Sequence, residues 1–179
     1  MKQIVQSYKT GEVKLREVPV PQCGSKRILV RNRNSLISIG TERATIELGR
    51  KSLVGKAAAR PDLVRRVWEK AKKEGLLKTY QEAMGRLDSP TPLGYSCAGV
   101  VEECSVAATE FVPGDRVACI GQGFASHAEF VSVPCNLACR IPEGISEEDA
   151  AFGMLGIIAL HGIRCADLSF GSRVVVMGL

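Results

Sequence analysis

The chain has 179 residues, a formal net charge of +5, 45% hydrophobic and 24% charged residues, a composition typical of soluble globular proteins. It has no apolar run of about 18 residues and no signal-peptide core at its start, so we predict no membrane partner and a cytoplasmic location. The modest charge does not favour a nucleic-acid partner. The seven cysteines form no C-x-x-C pair, which favours reduced thiols over a disulfide framework or zinc ribbon.

The beginning of the chain predicts a hairpin followed by a single strand. Residues 3–8 and 12–18 predict two strands around a Lys-Thr-Gly turn. Residues 27–33 predict a third strand, which leads into a loop with the sequence Gly-Thr-Glu at 40–42. The chain therefore opens as a β-rich domain.

The segment of about 43–90 interrupts this β pattern with helical signals. Pro and Asp at 61–62 predict the start of a helix, and Gly75 predicts its end. Its apolar stripe repeats at i, i+4 and consists of Leu63, Val64, Val67, Trp68 and Ala71. Residues 76–84 predict a further helix. We interpret the segment as a helical insert packed on the β-rich domain; a lid over a substrate cleft or an oligomer contact remains open.

A glycine-flanked stretch follows the insert. Gly94 and Gly99 surround small residues, and glycine at both positions suits a backbone that bends sharply or lies close to another group. Val100 and Val101 then predict a buried strand.

Three further strands close the predicted β domain. Gly-Asp-Arg-Val at 114–117 predicts a turn that leads into a strand over 117–120, and Ala-Glu-Phe lies in a predicted strand over 125–134. Residues 136–141 predict a short strand. His127 falls on the strand of 125–134, where it either packs or faces the cleft.

The last part of the chain predicts a helix and a strand. Ser146 and Asp149 form a capping box before an apolar helix over about 150–163, in which we expect His161 to be a core histidine. Residues 172–179 predict a buried parallel-type strand that reaches Gly178.

The order of these motifs resembles the medium-chain dehydrogenase/reductase superfamily, which contains the zinc-type alcohol dehydrogenases and the quinone reductases. The resemblance implies a mainly β fold with a helical insert: a GroES-like, partly open barrel at 1–144, followed at 145–179 by the first helix and strand of a truncated Rossmann domain. It implies a full-length NAD(P)-dependent dehydrogenase or reductase, of which this chain alone is expected to be inactive. Gly178 would begin the turn that binds the cofactor pyrophosphate.

The resemblance also implies that the catalytic zinc is absent. In zinc-containing relatives the metal ligands occupy places matched here by Ile39 (or Ser38), Tyr95 and Met154. None of these residue types is a usual zinc ligand, so we expect an enzyme without zinc.

Three residues are the candidate catalytic group. Thr41 matches a hydroxyl that relays the proton in alcohol dehydrogenases, Tyr95 stands at a metal-ligand place, and Glu42 would orient either one. The alternatives are turn chemistry for Thr41 and packing for Tyr95.

The expected partner is a small-molecule substrate: a carbonyl, an alcohol or an enone, with a sugar derivative as one form. A homodimer is an open possibility. The alternative from another functional class is a non-catalytic binding or scaffold module on the same fold.

Overall fold

The computed structural model describes residues 1–52, 55, 58, 61–75, 85, 89–108 and 110–177. Its strands are β1 Lys2–Ser7, β2 Val13–Glu17, β3 Arg27–Ser35, β4 Pro90–Pro92, β5 Ser96–Cys104, β6 Arg116–Ile120, β7 Phe130–Pro134 and β8 Ala138–Arg140. Its helices are α1 Ile39–Arg50, α2 Pro61–Glu74, α3 Glu147–Ala150 and α4 Gly153–Cys165, with a 3₁₀ turn at Cys135–Leu137.

The described strands form two antiparallel sheets. One has the order β2-β1-β4 and the other the order β7-β3-β5-β6-β8. An isolated bridge between Gln3 and Ala128 connects them. The predicted hairpin is confirmed, since β1 pairs with β2 and Ile4 lies opposite Leu15. The expected mainly β architecture with helices inserted between β3 and β4 is confirmed as well.

The core lies against the larger sheet, of which β5 is the central strand. The largest buried side chains include Ile28, Val30, Val101, Val117 and Val133. Cys97 and Cys119 lie opposite each other on β5 and β6. A thiol–thiol hydrogen bond, together with burial, raises the pKa of Cys119, so this thiol behaves as an uncharged core residue. Val100 and Val101 lie in β5, so the buried strand predicted there is confirmed.

The two glycines around the start of β5 meet the two expectations made for them. Gly94 has φ +94°, a left-handed conformation that side chains rarely adopt. Gly99 faces a register irregularity in β3 between Asn32 and Asn34, and a Cβ at Gly99 would lie 2.1 Å from the carbonyl oxygen of Arg31. One glycine provides the sharp bend and the other allows the close approach of two strands.

Helix α1 at Ile39–Arg50 is not predicted from the sequence, in which the first predicted helix starts at residues 61–62. Residues 40–42 lie in its first turn, after the N-cap Ser38, so their assignment to a loop was wrong. The helix packs on β1, where the buried Gln6 side chain donates a hydrogen bond to the carbonyl oxygen of Thr45 at 3.2 Å. This tertiary contact attaches the middle of α1 to β1.

Helix α2 begins at Pro61 and is followed by Gly75, as predicted. Two residues of the predicted apolar stripe, Val64 and Trp68, are 46% and 57% exposed. No described element covers them, so the packing expected for these two side chains was wrong. The ammonium of Lys72 lies over the Trp68 ring at 5.6 Å. The helix predicted over 76–84 lies outside the described residues.

The segment after β8 forms two helices where the sequence predicts one. Ser146 caps α3 as expected, since its Oγ accepts from the Asp149 N–H at 3.0 Å. The helix then breaks at residues 151–152. The buried Ser96 hydroxyl donates to the Ala151 carbonyl at 2.6 Å and accepts from the Met154 N–H at 3.3 Å. These contacts replace intrahelical bonds and attach the break to β5.

Two expectations for the end of the chain were wrong. Residues 172–177 form no strand and are exposed, because no described strand lies beside them to accept and donate ladder hydrogen bonds. His161 is exposed on α4 rather than in the core, and its Nε2 lies 3.5 Å from the Cys165 sulfur. None of the described helices is long and apolar enough to cross a membrane.

Removing the Ser96 hydroxyl should destabilise the fold. Ser96→Ala leaves the buried Ala151 carbonyl without its donor, and we expect a loss of about 1–3 kcal/mol in the free energy of unfolding. Ser105→Ala is the matched control, because the buried Ser105 Oγ has no hydrogen-bond partner among the described residues, so little change is expected. Urea unfolding of both variants measures the difference. Equal stabilities would show that the Ser96 contacts with Ala151 and Met154 do not stabilise the fold.

Candidate functional site

A pocket lies between the start of α1, the turn before β5 and the loop after β6. Its empty volume is about 340 Å³ and includes space open to solvent. The lining residues are Tyr8, Thr41, Glu42, Thr45, Thr91, Pro92, Leu93, Gly94, Tyr95 and Gln122. The exposed lining surface is mostly apolar, and the hydroxyl, carboxylate and amide groups of the lining residues add hydrogen-bonding sites to it.

The three residues predicted as the catalytic group line this one pocket. Thr41 is exposed, and its Oγ1 accepts a hydrogen bond from the Ser38 hydroxyl at 3.3 Å. Tyr95 is half-buried, and its carbonyl oxygen accepts from the Gly121 N–H at 2.8 Å. Glu42 is buried. Residues from two distant parts of the sequence thus meet at one surface.

Glu42 is held by two donors. Its Oε1 lies 3.0 Å from the Ser38 N–H nitrogen and 3.1 Å from Nε2 of His127, and its Oε2 lies 3.2 Å from the same Nε2. The carboxylate also lies in the first turn of α1, where the helix dipole favours negative charge. The Glu42 side chain therefore has a fixed place at the edge of the pocket.

His127 is the hydrogen-bond partner of Glu42, and hydrogen bonds hold both its backbone and its side chain. Its N–H donates to the Leu93 carbonyl at 2.8 Å, and its carbonyl accepts from the Ile4 N–H at 2.9 Å. Its Nδ1 lies 2.9 Å from the Ser35 hydroxyl. A Cβ at Gly94 would lie 2.8 Å from the His127 nitrogen and 3.0 Å from the ring, so the missing side chain at Gly94 makes room for the imidazole.

Asn32 holds the loop on both sides of this histidine. Its amide donates to the carbonyl oxygens of Ser126 and Ala128 at 3.2 and 2.7 Å. The strand predicted over 125–134 begins only at Phe130, and His127 lies in the preceding loop. Strand alternation therefore gives no information about the direction of the His127 side chain, and the catalytic group predicted from the sequence does not contain His127.

Comparison with known sequences gives relatives that are much longer than this chain. No family model matches. The chain is 37% identical over 97 residues to the highly reducing polyketide synthase GPY1 of Gibberella fujikuroi, covering 53% of this chain and 4% of that protein. It is 28% identical over 129 residues to a sorbitol dehydrogenase of Arabidopsis thaliana, covering 57% of this chain and 35% of that protein.

Solved structures with the same fold cover most of the chain. The quinone oxidoreductase of Coxiella burnetii matches 96% of this chain and 46% of its own, with a TM-score of 0.66 and 20% identity. The quinone oxidoreductase of Thermus thermophilus, solved also as its complex with NADPH, matches 93% and 41%, with a TM-score of 0.58 and 21% identity. The chain therefore shares the fold of these oxidoreductases. The expected GroES-like fold is thereby confirmed.

The residues matched to the zinc ligands of zinc-type alcohol dehydrogenases do not fit the metal here. Ile39 is 78% exposed and has no lone pair to donate. Met154 is tied through its backbone to Ser96. Within the described part of the chain, no three His, Cys, Asp or Glu side chains are grouped as a metal site. Gly178, the candidate cofactor-binding residue, lies outside the described residues.

A side chain at Gly94 should displace His127. Gly94→Ala adds strain at φ +94° and a clash with the His127 backbone and ring. Gly123→Ala is the matched control, because φ is +81° there and nothing lies within 4 Å of the added Cβ. We expect the control to lose about 1–2 kcal/mol of stability and Gly94→Ala to lose roughly 1–3 kcal/mol more. Chemical unfolding measures both. Equal losses in the free energy of unfolding would show that the loop carrying His127 moves aside at no measurable cost.

Proposed function

We propose that the whole protein is an NAD(P)-dependent oxidoreductase that works without zinc and transfers hydride to or from a carbonyl, alcohol or enone. The observation that carries this proposal is the meeting of Thr41, Glu42 and Tyr95 in one pocket of a superfamily fold. Residues 1–144 would form the catalytic domain with its insert at about 43–90, and residues 145–179 would begin the cofactor-binding domain.

The cofactor would supply or accept the hydride, and the pocket residues would handle the substrate oxygen. A reductase without a Lewis acid needs donors that stabilise the negative charge developing on that oxygen. The Tyr95 hydroxyl and the Thr41 hydroxyl are the donors that this pocket provides. The hydroxyl and carboxylate groups among its lining residues support a hydroxylated small molecule, such as a sugar derivative, as substrate. The homodimer and the cytoplasmic location remain predictions.

The relatives support the cofactor in general terms. A dehydrogenase is among the sequence relatives, and a quinone oxidoreductase of the same fold has been solved as its NADPH complex. The choice between NAD and NADP is left to experiment, since the expected cradle at Gly178 lies outside the described residues. A non-catalytic scaffold on this fold would bind no NAD or NADP and would turn over no substrate.

Turnover and metal content of the full-length protein test the proposal together. We expect oxidation or formation of the reduced nicotinamide with at least one of a panel of polyols, ketones, enones and quinones, in protein that contains well below one zinc per chain. The measurements are nicotinamide absorbance and elemental analysis. Dialysis against a chelator should leave the rate unchanged. Binding of no dinucleotide would favour the scaffold alternative, and about one zinc per chain whose removal abolishes activity would overturn zinc independence.

Replacing Tyr95 separates catalysis from packing. Tyr95→Phe removes the hydroxyl and keeps the ring, so we expect turnover to fall on the order of a hundredfold, since losing one such donor costs about 2.7–4 kcal/mol of transition-state stabilisation. Stability should change little. Tyr95→Ala is the comparison, because it removes the half-buried ring too and should also lower the unfolding temperature. A Tyr95→Phe protein with turnover within a few-fold of the parent would end the catalytic role of Tyr95.

A further inference from the structure

Ser35, His127 and Glu42 form a line of hydrogen bonds from an exposed strand end to the pocket. Ser35 is exposed at the end of β3, His127 is buried, and Glu42 lines the pocket. The Ser35–His127 and His127–Glu42 distances are 2.9 and 3.1 Å. We propose that Glu42 accepts the hydroxyl proton of a substrate alcohol and that His127 and Ser35 are positioning residues that aim its carboxylate. This inference rests on the proposed function.

The partners of the imidazole determine which nitrogen carries its proton. A carboxylate has only acceptor sites, so Nε2 must donate to Glu42. Nδ1 of the neutral ring is then an acceptor, and the Ser35 hydroxyl, which is able to donate, lies against it. Each neighbour thus selects the same tautomer, and the N–H of His127 points at Glu42.

The arrangement is rigid before any substrate binds. His127 is held by backbone hydrogen bonds to Ile4 and Leu93 and is packed against Gly94. Glu42 has a second fixed donor in the Ser38 N–H. A base held in place in this way needs no reorganisation when the substrate arrives, which is the main source of catalytic benefit from preorganised polar groups.

The proposed step balances for an alcohol. The O–H bond breaks and its proton goes to a Glu42 oxygen, the C–H bond breaks and its hydride goes to the oxidised nicotinamide of the proposed function, and the carbon–oxygen double bond forms. The two electrons leave with the hydride, so the alcohol is oxidised and the nicotinamide is reduced. In the opposite direction, the protonated Glu42 returns the proton to the alkoxide oxygen.

The same carboxylate discriminates between substrate classes. An alcohol presents a hydroxyl donor to Glu42, whereas a quinone or enone presents a carbonyl oxygen, which is an acceptor and repels another acceptor. With Glu42 ionised, the pocket should therefore favour alcohols and polyols over quinones. Glu42→Gln adds a donor at this place, so it should impair alcohol oxidation and reduce the discrimination against quinones.

The tautomer gives a test that is independent of activity. In long-range ¹H–¹⁵N spectra of the full-length protein, the signals that disappear in His127→Gln belong to His127. We expect a proton on Nε2, either alone or together with a second proton on Nδ1, since both forms donate to Glu42. An Nε2 without a proton would overturn the proposal. His161→Asn is the control and should leave these signals in place.

Kinetics then test the two roles. We expect Glu42→Gln to lower kcat for alcohol oxidation by about a hundredfold or more, the range of general acid–base catalysis, with KM little changed. His127→Asn places its amide near Nδ1 and out of reach of Glu42, so kcat should fall on the order of tenfold to a hundredfold. His127→Gln places its amide N–H near Nε2 and should recover most of that loss. Ser35→Ala should cost a few-fold, consistent with one neutral hydrogen bond.

The outcomes separate this inference from the proposed function. No nicotinamide-dependent turnover of any substrate by the parent protein would overturn the proposed function, and the chemical role of Glu42 with it. Alcohol turnover that survives Glu42→Gln, or a folded His127→Asn with the parent kcat, would overturn only the inference. If His127→Asn fails to fold, Glu42→Gln and the tautomer decide. His161→Asn, outside the pocket, should keep the parent rate.

Discussion

The loop that carries His127 is the point at which separate parts of the fold are joined. The backbone of His127 bonds to Ile4 on β1 and to Leu93 before β5, and the adjacent Ala128 bridges to Gln3. Its side chain reaches Glu42 in the first turn of α1. Because the buried polar groups of one residue are satisfied by three segments at once, moving any segment leaves unpaired groups whose desolvation costs about 1–3 kcal/mol each. The pocket exists because these segments are held together.

Two neighbouring residues at the start of β5, Tyr95 and Ser96, have different surroundings. Successive side chains near a strand point to opposite sides. Tyr95 lines the pocket, whereas Ser96 is buried on the other side and holds the helix break at Ala151. Tyr95 offers a phenol to the pocket, and Ser96 attaches the break between α3 and α4 to β5. The Arg116–Glu147 contact at 2.8 Å strengthens the same attachment, and its hydrogen bond lowers the pKa of Glu147.

Electrostatics at the pocket follow from this construction. Glu42 combines burial, a helix N-terminus, a backbone N–H and an imidazole N–H within one small region, so its charge is solvated by protein groups in place of water. Thr41 and Tyr95 add hydroxyls that are able to donate. An acceptor and two donors around one pocket are the groups that an alcohol and the corresponding carbonyl require in turn, which links the geometry to the proposed reaction.

The sequence by itself determined the elements that depend on local patterns. Hairpin and turn signals placed β1, β2 and β6, the capping box placed the start of α3, and the two glycines marked a bend and a close approach. The order of these motifs also indicated the superfamily, and with it Thr41, Glu42 and Tyr95 as one group. The tertiary structure decided the rest. Residues 40–42 form the first turn of a helix that is attached to β1, the Ser96 hydroxyl bonds to the break between α3 and α4, and contacts between distant segments bring His127 to Glu42. A local pattern encodes which backbone a segment prefers, but not which side chain from another segment will satisfy its polar groups.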